Sequence, residues 1–125
     1  MMDDELKRKL DSDENGLLTY EYIANHMGAV DDIMGDLVRH IIGVDRTGQF
    51  VVSTARYLHA IDAERYASCI DELVKAAIAK DRDRVYLADL VASIWGKDYK
   101  ENAASLVEKD DNFRRIYKRL YPVGI

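Results

Sequence analysis

The sequence predicts an all-α fold: one compact domain, residues 1–125, built from about six to eight helices. Apolar residues recur every three or four positions through most of the chain, which is the spacing of one helix face. The 125 residues include one proline and seven glycines, so few helix breakers interrupt this pattern. Apolar residues make up 48% of the chain and charged residues 33%, a balance typical of globular proteins that bury a modest core.

Three short helices are predicted in the first third of the chain. The first spans about residues 3–10 and is highly charged. The second begins near Thr19, a preferred N-cap residue, and its apolar face ends at Gly28, a common terminator. The third spans about residues 30–42, where apolar side chains keep helical spacing until Gly43.

The middle of the chain permits two interpretations. Residues 44–48 are rich in loop-forming residues, and the β-branched residues after them would suit a short hairpin near residues 41–53. A helix is preferred there, because apolar residues again recur at helical spacing: Phe50, Thr54, Tyr57, Leu58 and Ile61. The next helix has the strongest pattern in the chain, a broad apolar stripe of Tyr66, Cys69, Ile70, Leu73, Val74 and Ala77.

Three more helices are predicted in the last third of the chain. The first ends at Gly96, and the charged run at residues 80–84 separates it from the helix before it. Asp98 followed by Glu101 has the spacing of a capping box, which would open the second. Asp110 or the aspartate after it would cap the third. That last helix is apolar on one side and basic on the other, where it carries Arg114, Arg115, Lys118 and Arg119.

Two stretches of the chain resemble each other. Residues 23–28 read IANHMG and residues 91–96 read VASIWG, and both place an alanine four residues before a glycine that ends a helix. An internal duplication would explain the similarity. Chance is the favoured explanation, because alanine and glycine are common residues.

The formal net charge of −5 is unevenly distributed. Residues 1–45 contain 4 basic and 11 acidic residues, whereas residues 97–125 contain 7 basic and 5 acidic residues. An acidic first part argues against binding of a nucleic-acid backbone there. The concentrated charges predict two partner-binding surfaces, an acidic one at Asp31, Asp32 and Asp36 and a basic one at Arg114, Arg115, Lys118 and Arg119.

The turn before the second helix contains a calcium-loop pattern. Asp11, Asp13 and Asn15 alternate before Gly16, and alternating oxygen ligands around a glycine turn suit a hard cation. Residues 11–22 therefore resemble an EF-hand loop, and the resemblance implies calcium ligation by these three side chains. The twelfth position of the loop, where the family has a bidentate glutamate, is a tyrosine. The favoured interpretation is a polar turn between helices, without a metal.

Residues 19–41 contain a second pattern. Ala24 would let two helices approach closely, and Gly28 would allow a tight turn between them. In this apolar skeleton the stretch resembles the helix-turn-helix family, which implies DNA binding by the second of the two helices. The positions that would face DNA carry carboxylates, so nucleic acid is disfavoured as a partner of this helix: Asp31, Asp32 and Asp36.

No pattern in the sequence indicates catalysis. His26, His40 and His59 lack metal-ligand spacing to one another and to Cys69, and neither a phosphate loop nor a nucleophile elbow occurs. We therefore expect no enzyme activity and no cofactor. The favoured hypothesis is a non-enzymatic helical binding or regulatory module that contacts a protein partner or itself. The alternatives are a helix-turn-helix DNA-binding regulator and an EF-hand-like calcium-related protein.

The sequence does not predict association with a membrane. No apolar run approaches the roughly 20 residues that a membrane-spanning helix needs, and the charged N-terminus lacks the apolar core of a signal peptide. The expected location is the cytoplasm, and the single Cys69 agrees with a reducing compartment.

Overall fold

The computed structural model describes residues 2–122, and every regular element in that range is helical. The all-α prediction is therefore confirmed. A 3-10 turn, Asp31–Ile33, precedes α3. The α-helices are α1 (Asp4–Leu10), α2 (Leu17–Asn25), α3 (Met34–Val44), α4 (Gln49–Asp62), α5 (Ala67–Lys80), α6 (Leu87–Trp95), α7 (Ala103–Lys109) and α8 (Asp111–Leu120).

The hairpin considered near residues 41–53 is wrong, because this stretch holds the end of α3, a loop and the start of α4. Val51, Thr54 and Leu58 are fully buried at helical spacing, so burial of one helix face decides the conformation. The predicted stop at Gly43 is also wrong. The third helix continues through this glycine to Val44, and the loop that follows begins at Asp45.

Six of the helices form three consecutive helix–loop–helix units. Unit 1 is α1–α2, unit 2 is α3–α4 and unit 3 is α5–α6. Each connecting loop contains a buried aspartate, with relative exposures of 8% for Asp13, 1% for Asp45 and 3% for Asp81. An aspartate is rarely this buried unless its oxygens are hydrogen-bonded. We call these three residues the capping aspartates.

The similarity between residues 23–28 and 91–96 agrees with this repeat. Val91 follows Ile23 by 68 positions, which is also the separation between Asp13 and Asp81. The glycines that end the two stretches both have a positive φ angle, +87° and +94°. The two stretches therefore lie at equivalent distances from the capping aspartates of units 1 and 3.

The three units share one hydrophobic core. Helix α4 lies at its centre and packs against α2, α3, α5 and α6. Helix α8 completes the core by packing against α5, α6 and α7. Among the largest fully buried side chains are Leu37, Leu58, Leu73, Leu90, Phe113 and Ile116. Within residues 2–122, no helix is both long enough and apolar enough to cross a membrane.

The last two helices begin differently from each other. Helix α8 is capped by Asp110, one of the two predicted capping residues. Its carboxylate accepts a hydrogen bond from the amide of Phe113 and another from the Trp95 indole at 2.9 Å. The capping box at residues 98–101 is wrong, because α7 begins only at Ala103. The chain reaches α7 through successive turns, in which Tyr99 is buried.

Candidate functional site

The three loops of the units lie side by side at one end of the molecule. A Cβ atom added to Gly16 would lie 3.3 Å from Cβ of Asp45, so the loop of unit 1 contacts that of unit 2. A Cβ atom added to Gly48 would lie 3.5 Å from Cβ of Asp81, so the loop of unit 2 contacts that of unit 3. We call this row of loops, residues 11–16, 45–48 and 81–86, the loop end.

Asp13 caps the start of α2 with both carboxylate oxygens. Its Oδ1 accepts hydrogen bonds from the amides of Asn15 at 3.3 Å and Gly16 at 2.9 Å. Its Oδ2 accepts from the Thr19 amide at 2.8 Å and the Thr19 hydroxyl at 2.6 Å. Thr19 was predicted as the N-cap, which is wrong, because α2 already begins at Leu17 and the hydroxyl donates to the aspartate before it.

Burial by itself would raise the pKa of Asp13, since a desolvated carboxylate loses its charge more readily. Hydrogen bonds from the Thr19 hydroxyl and from the Thr19, Gly16 and Asn15 amides outweigh this effect and lower the pKa below 3.8. The carboxylate is therefore an anion that the start of α2 stabilises.

Asp45 and Asp81 repeat this arrangement. Asp45 Oδ1 accepts from the amides of Thr47 and Gly48, each at 3.0 Å. Its Oδ2 accepts from the next helix, α4, at distances of 2.8 and 2.9 Å. Asp81 binds three amides at distances of 2.6 to 3.0 Å. Oδ2 of each capping aspartate binds the amide six residues later, which belongs in turn to Thr19, Val51 and Leu87.

These contacts account for the calcium-loop pattern by helix capping. Both oxygens of Asp13 are already bound by protein donors, and Asn15 Oδ1 accepts from the Leu17 amide at 3.0 Å. Asp11 is exposed at the C-terminal end of α1. Among residues 2–122, no group of three or more His, Cys, Asp or Glu side chains is arranged to hold a metal. A calcium ion at this loop would have to replace the bonds that start α2.

The predicted acidic surface is partly neutralised by the protein itself. Asp31 forms an ion pair with Arg65 at 2.7 Å and accepts a hydrogen bond from the Tyr66 hydroxyl at 2.6 Å, which raises the pKa of that tyrosine. Asp36 pairs with Arg39 at 2.8 Å. Asp32 is exposed. Two of the three carboxylates therefore have partners within the fold.

The helix-turn-helix skeleton is also altered. Gly28 adopts a positive φ of +87°, as a turn glycine should. Residues 26–33 separate α2 from α3 and include the 3-10 turn, whereas the motif has a turn of about three to four residues. The first two predicted DNA-facing aspartates lie in that turn, outside the α-helix.

The predicted basic surface on α8 is divided in the same way. Arg114 pairs with Asp111 of its own helix at 2.5 Å. Arg119 donates to the backbone carbonyl of Ile78, near the C-terminal end of α5, and so stabilises that helix end. Arg115 and Lys118 are exposed.

Sequence reasoning missed a different basic surface at the loop end. A groove of about 390 Å³ lies between the loops of units 2 and 3, and Arg46, Lys80 and Arg82 line it. Arg84 belongs to the same loop, and its guanidinium donates to the Arg119 carbonyl at 3.2 Å. We call Arg46, Lys80, Arg82 and Arg84 the basic loop surface. The sequence contains residues 80–84 as a charged run, but only the fold brings Arg46 beside them.

The side chains of the basic loop surface form no ion pair among the described residues. The buried carboxylate of Asp81 accepts from the amides of residues 85–87 at the start of α6, and Asp83 is the remaining acidic residue of the groove lining. None of the four basic side chains lies within 4.0 Å of a carboxylate oxygen in the described part of the chain. Val85 lines the same groove and is 59% exposed, so an apolar contact accompanies the positive charge.

A second groove, of about 540 Å³, lies between α2, α4 and α6. Tyr20 and Tyr57 meet edge to face in it at 6.3 Å, and Arg56 donates to the Ser93 hydroxyl at 2.7 Å. Elsewhere, burial followed by the nearby Glu72 raises the pKa of Cys69. This thiol is half-buried and remains protonated, which makes it a weak nucleophile.

No family model matches the chain, and comparisons with curated proteins and with solved structures find no similar protein.

Proposed function

We propose that this protein is a non-enzymatic helical module that binds a protein partner in the cytoplasm. The observation that carries the proposal is the basic loop surface, where Arg46, Lys80 and Arg82 line a groove and form no ion pair among the described residues. Arginine beside aromatic and apolar groups is a common composition of protein-binding surfaces. Tyr86 and Val85 supply those groups here.

Many other charged groups have a role inside the fold. The capping aspartates bind helix amides, Asp31 holds Arg65, and Arg114 pairs with Asp111. A charge that is paired within the fold contributes to folding, and it attracts a partner less strongly than an unpaired charge does. The basic loop surface is where positive charge and exposed apolar area coincide.

Helix dipoles explain only part of this charge. Lys80 lies in the last turn of α5, where a cation gains about 0.3–1 kcal/mol from the partial negative charge of the helix end. Arg46 and Arg82 are exposed, and no carbonyl or carboxylate of the described residues accepts from their guanidinium groups. A binding role would account for the positive charge of Arg46 and Arg82, which the helix dipole does not explain.

The test compares partner capture by the wild-type protein and by the double variant Arg46→Glu/Arg82→Glu. Each tagged protein is incubated with a lysate of its source, and retained proteins are identified by mass spectrometry. Lys97→Glu is the matched control, because Lys97 is exposed and lies beyond the opposite end of α6. We expect a partner retained by wild type and control but lost by the double variant. A strict monomer in light scattering that retains no partner would contradict the proposal.

The helix-turn-helix alternative rests on the turn glycine, since Gly28 takes the expected positive φ. It predicts binding of duplex DNA with an affinity that falls steeply as salt is raised. An electrophoretic mobility shift assay at low salt decides the matter. Absence of a shifted band at low salt would rule the alternative out.

A further inference from the structure

We propose that the basic loop surface binds a short acidic peptide segment that also carries an aliphatic side chain. This inference rests on the proposed function and names the partner's chemistry. The carboxylates of the segment would meet Arg46, Lys80 and Arg82 around the groove, and its aliphatic side chain would cover Val85.

Arg84 gives independent support through its backbone conformation. Units 1 and 2 place Gly16 and Gly48 three residues after the capping aspartate, with φ angles of +102° and +92°. Unit 3 has Arg84 at this position, with a φ of +62°. A side chain in the left-handed region is disfavoured, whereas glycine adopts it freely. Strained residues of this kind concentrate at functional sites. The Arg84 guanidinium donates to the Arg119 carbonyl at 3.2 Å, and its positive charge adds to that of Arg82 in the same loop.

The charge of the loop end changes sign along the row. The loop of unit 1 exposes Asp11 and Glu14, whereas the loop of unit 3 exposes Arg82 and Arg84. An acidic segment is therefore attracted to the side of units 2 and 3 and repelled from unit 1. The peptide-binding site is short, because the loop of unit 1, next to that of unit 2, exposes negative charge.

The same gradient favours a peptide over a nucleic acid. A nucleic-acid backbone carries closely spaced phosphates and needs an extended basic track. Asp83 lines the groove itself, and the row of loops ends in an acidic edge. An exposed aliphatic side chain such as Val85 also finds its complement in a peptide more readily than in a phosphate backbone.

The test is fluorescence anisotropy with a labelled peptide of glutamates surrounding a leucine. The same peptide with glutamine in place of glutamate is the charge control, and a labelled duplex DNA and a labelled single-stranded RNA are the competitors. The proteins are wild type, Arg46→Glu/Arg82→Glu, Lys97→Glu and Arg84→Gly, each checked for helix content by circular dichroism.

We expect salt-sensitive binding of the glutamate peptide and not of the glutamine peptide. Charge reversal should weaken it at least about tenfold, and Lys97→Glu should leave it within about twofold, the behaviour of a remote surface substitution. Arg84→Gly should weaken binding while the melting temperature stays the same or rises, because glycine removes the backbone strain. A purely structural role for Arg84 predicts a lower melting temperature and unchanged binding, which would overturn the inference.

Other outcomes would overturn it as well. Equal binding of the glutamine peptide would contradict the inference, as would binding of the glutamate peptide that charge reversal leaves unchanged. Displacement of the peptide by duplex DNA or RNA at lower concentration would assign the surface to nucleic acid. If the glutamate peptide does not bind but a partner is still captured from lysate, this inference fails while the proposed function stands. If neither binds, both fail.

Discussion

The capping aspartates show how one side chain can satisfy the start of a helix. The first amides of a helix have no carbonyl partner within it, and leaving them buried and unbonded is costly. Asp45 is 1% exposed and accepts from four backbone amides, in its own loop and in the first turn of α4. A carboxylate next to the positive end of the helix dipole adds to the stabilisation.

Replacing Asp45 with alanine should lower the free energy of unfolding by about 2 kcal/mol, the upper part of the range for lost N-caps. Asparagine should cost less, because its single carbonyl oxygen replaces some of the bonds. Urea denaturation followed by circular dichroism measures both. Asp83→Ala is the control, since this aspartate is exposed and caps no helix; a loss as large as that of Asp45→Ala would contradict the capping role.

The lowered pKa of Asp13 predicts how stability depends on pH. A carboxyl group whose pKa is lower in the folded state stabilises the fold above its unfolded pKa, about 3.9. This contribution is lost as the pH falls through the lower folded value. The difference in unfolding free energy between wild type and Asp13→Asn should therefore be constant above about pH 5 and shrink in more acidic solution. A difference that grows on acidification would show that the sign of the shift is wrong.

At the scale of elements, the loops differ in how much space surrounds their glycines. Gly16 has a φ of +102°, and a Cβ atom there would lie 3.1 Å from both Ile41 Cγ1 and Phe50 Cβ. Gly28 has a φ of +87°, but a Cβ atom there would meet no other atom within 4 Å. The first glycine is needed for conformation and for close packing between units, and the second for conformation alone.

Gly28→Ala should therefore cost about 1–2 kcal/mol, the strain of a left-handed residue. Gly16→Ala should cost more, by about 1–3 kcal/mol, because the added methyl group also overpacks the contact between units 1 and 2. Thermal and urea unfolding of the two variants measures the difference. Equal losses would show that the loops of these units do not pack as closely as described.

At the scale of the whole molecule, one core unites the three units and the last two helices. Leu58 of α4 is completely buried, whereas Ile61, one turn later, is 52% exposed. A core shared in this way predicts that the units unfold together, since no unit keeps a closed apolar interior when its neighbours open.

Leu58→Ala should lower the free energy of unfolding by about 2–5 kcal/mol, and Ile61→Ala should change it by no more than about 0.5 kcal/mol. In both variants, Trp95 fluorescence, which reports on unit 3 and α8, should change at the same urea concentration as the circular dichroism of all helices. Separate transitions would show that unit 3 unfolds independently.

The sequence predicted the class of fold and most helices, because apolar periodicity is a local signal. It did not predict the role of Asp13, since an aspartate, an asparagine and a glycine at this spacing suit a metal loop and a helix cap equally well. It also missed the basic loop surface. Arg46 and Lys80 belong to different units, and their proximity depends on how the loops stack.

The repeated capping arrangement makes the loops behave as interchangeable connectors. The hydrogen bonds of each capping aspartate stay within its loop and the first turn of the next helix. The conformation of each loop therefore depends mainly on the residues of that loop. Changing residues 82–84 from Arg-Asp-Arg to Glu-Asn-Gly would copy the connector of unit 1 into unit 3. The chain should keep its helices while the net charge of residues 82–84 changes from +1 to −1, so the charge that this loop presents to a partner can be changed without altering the fold.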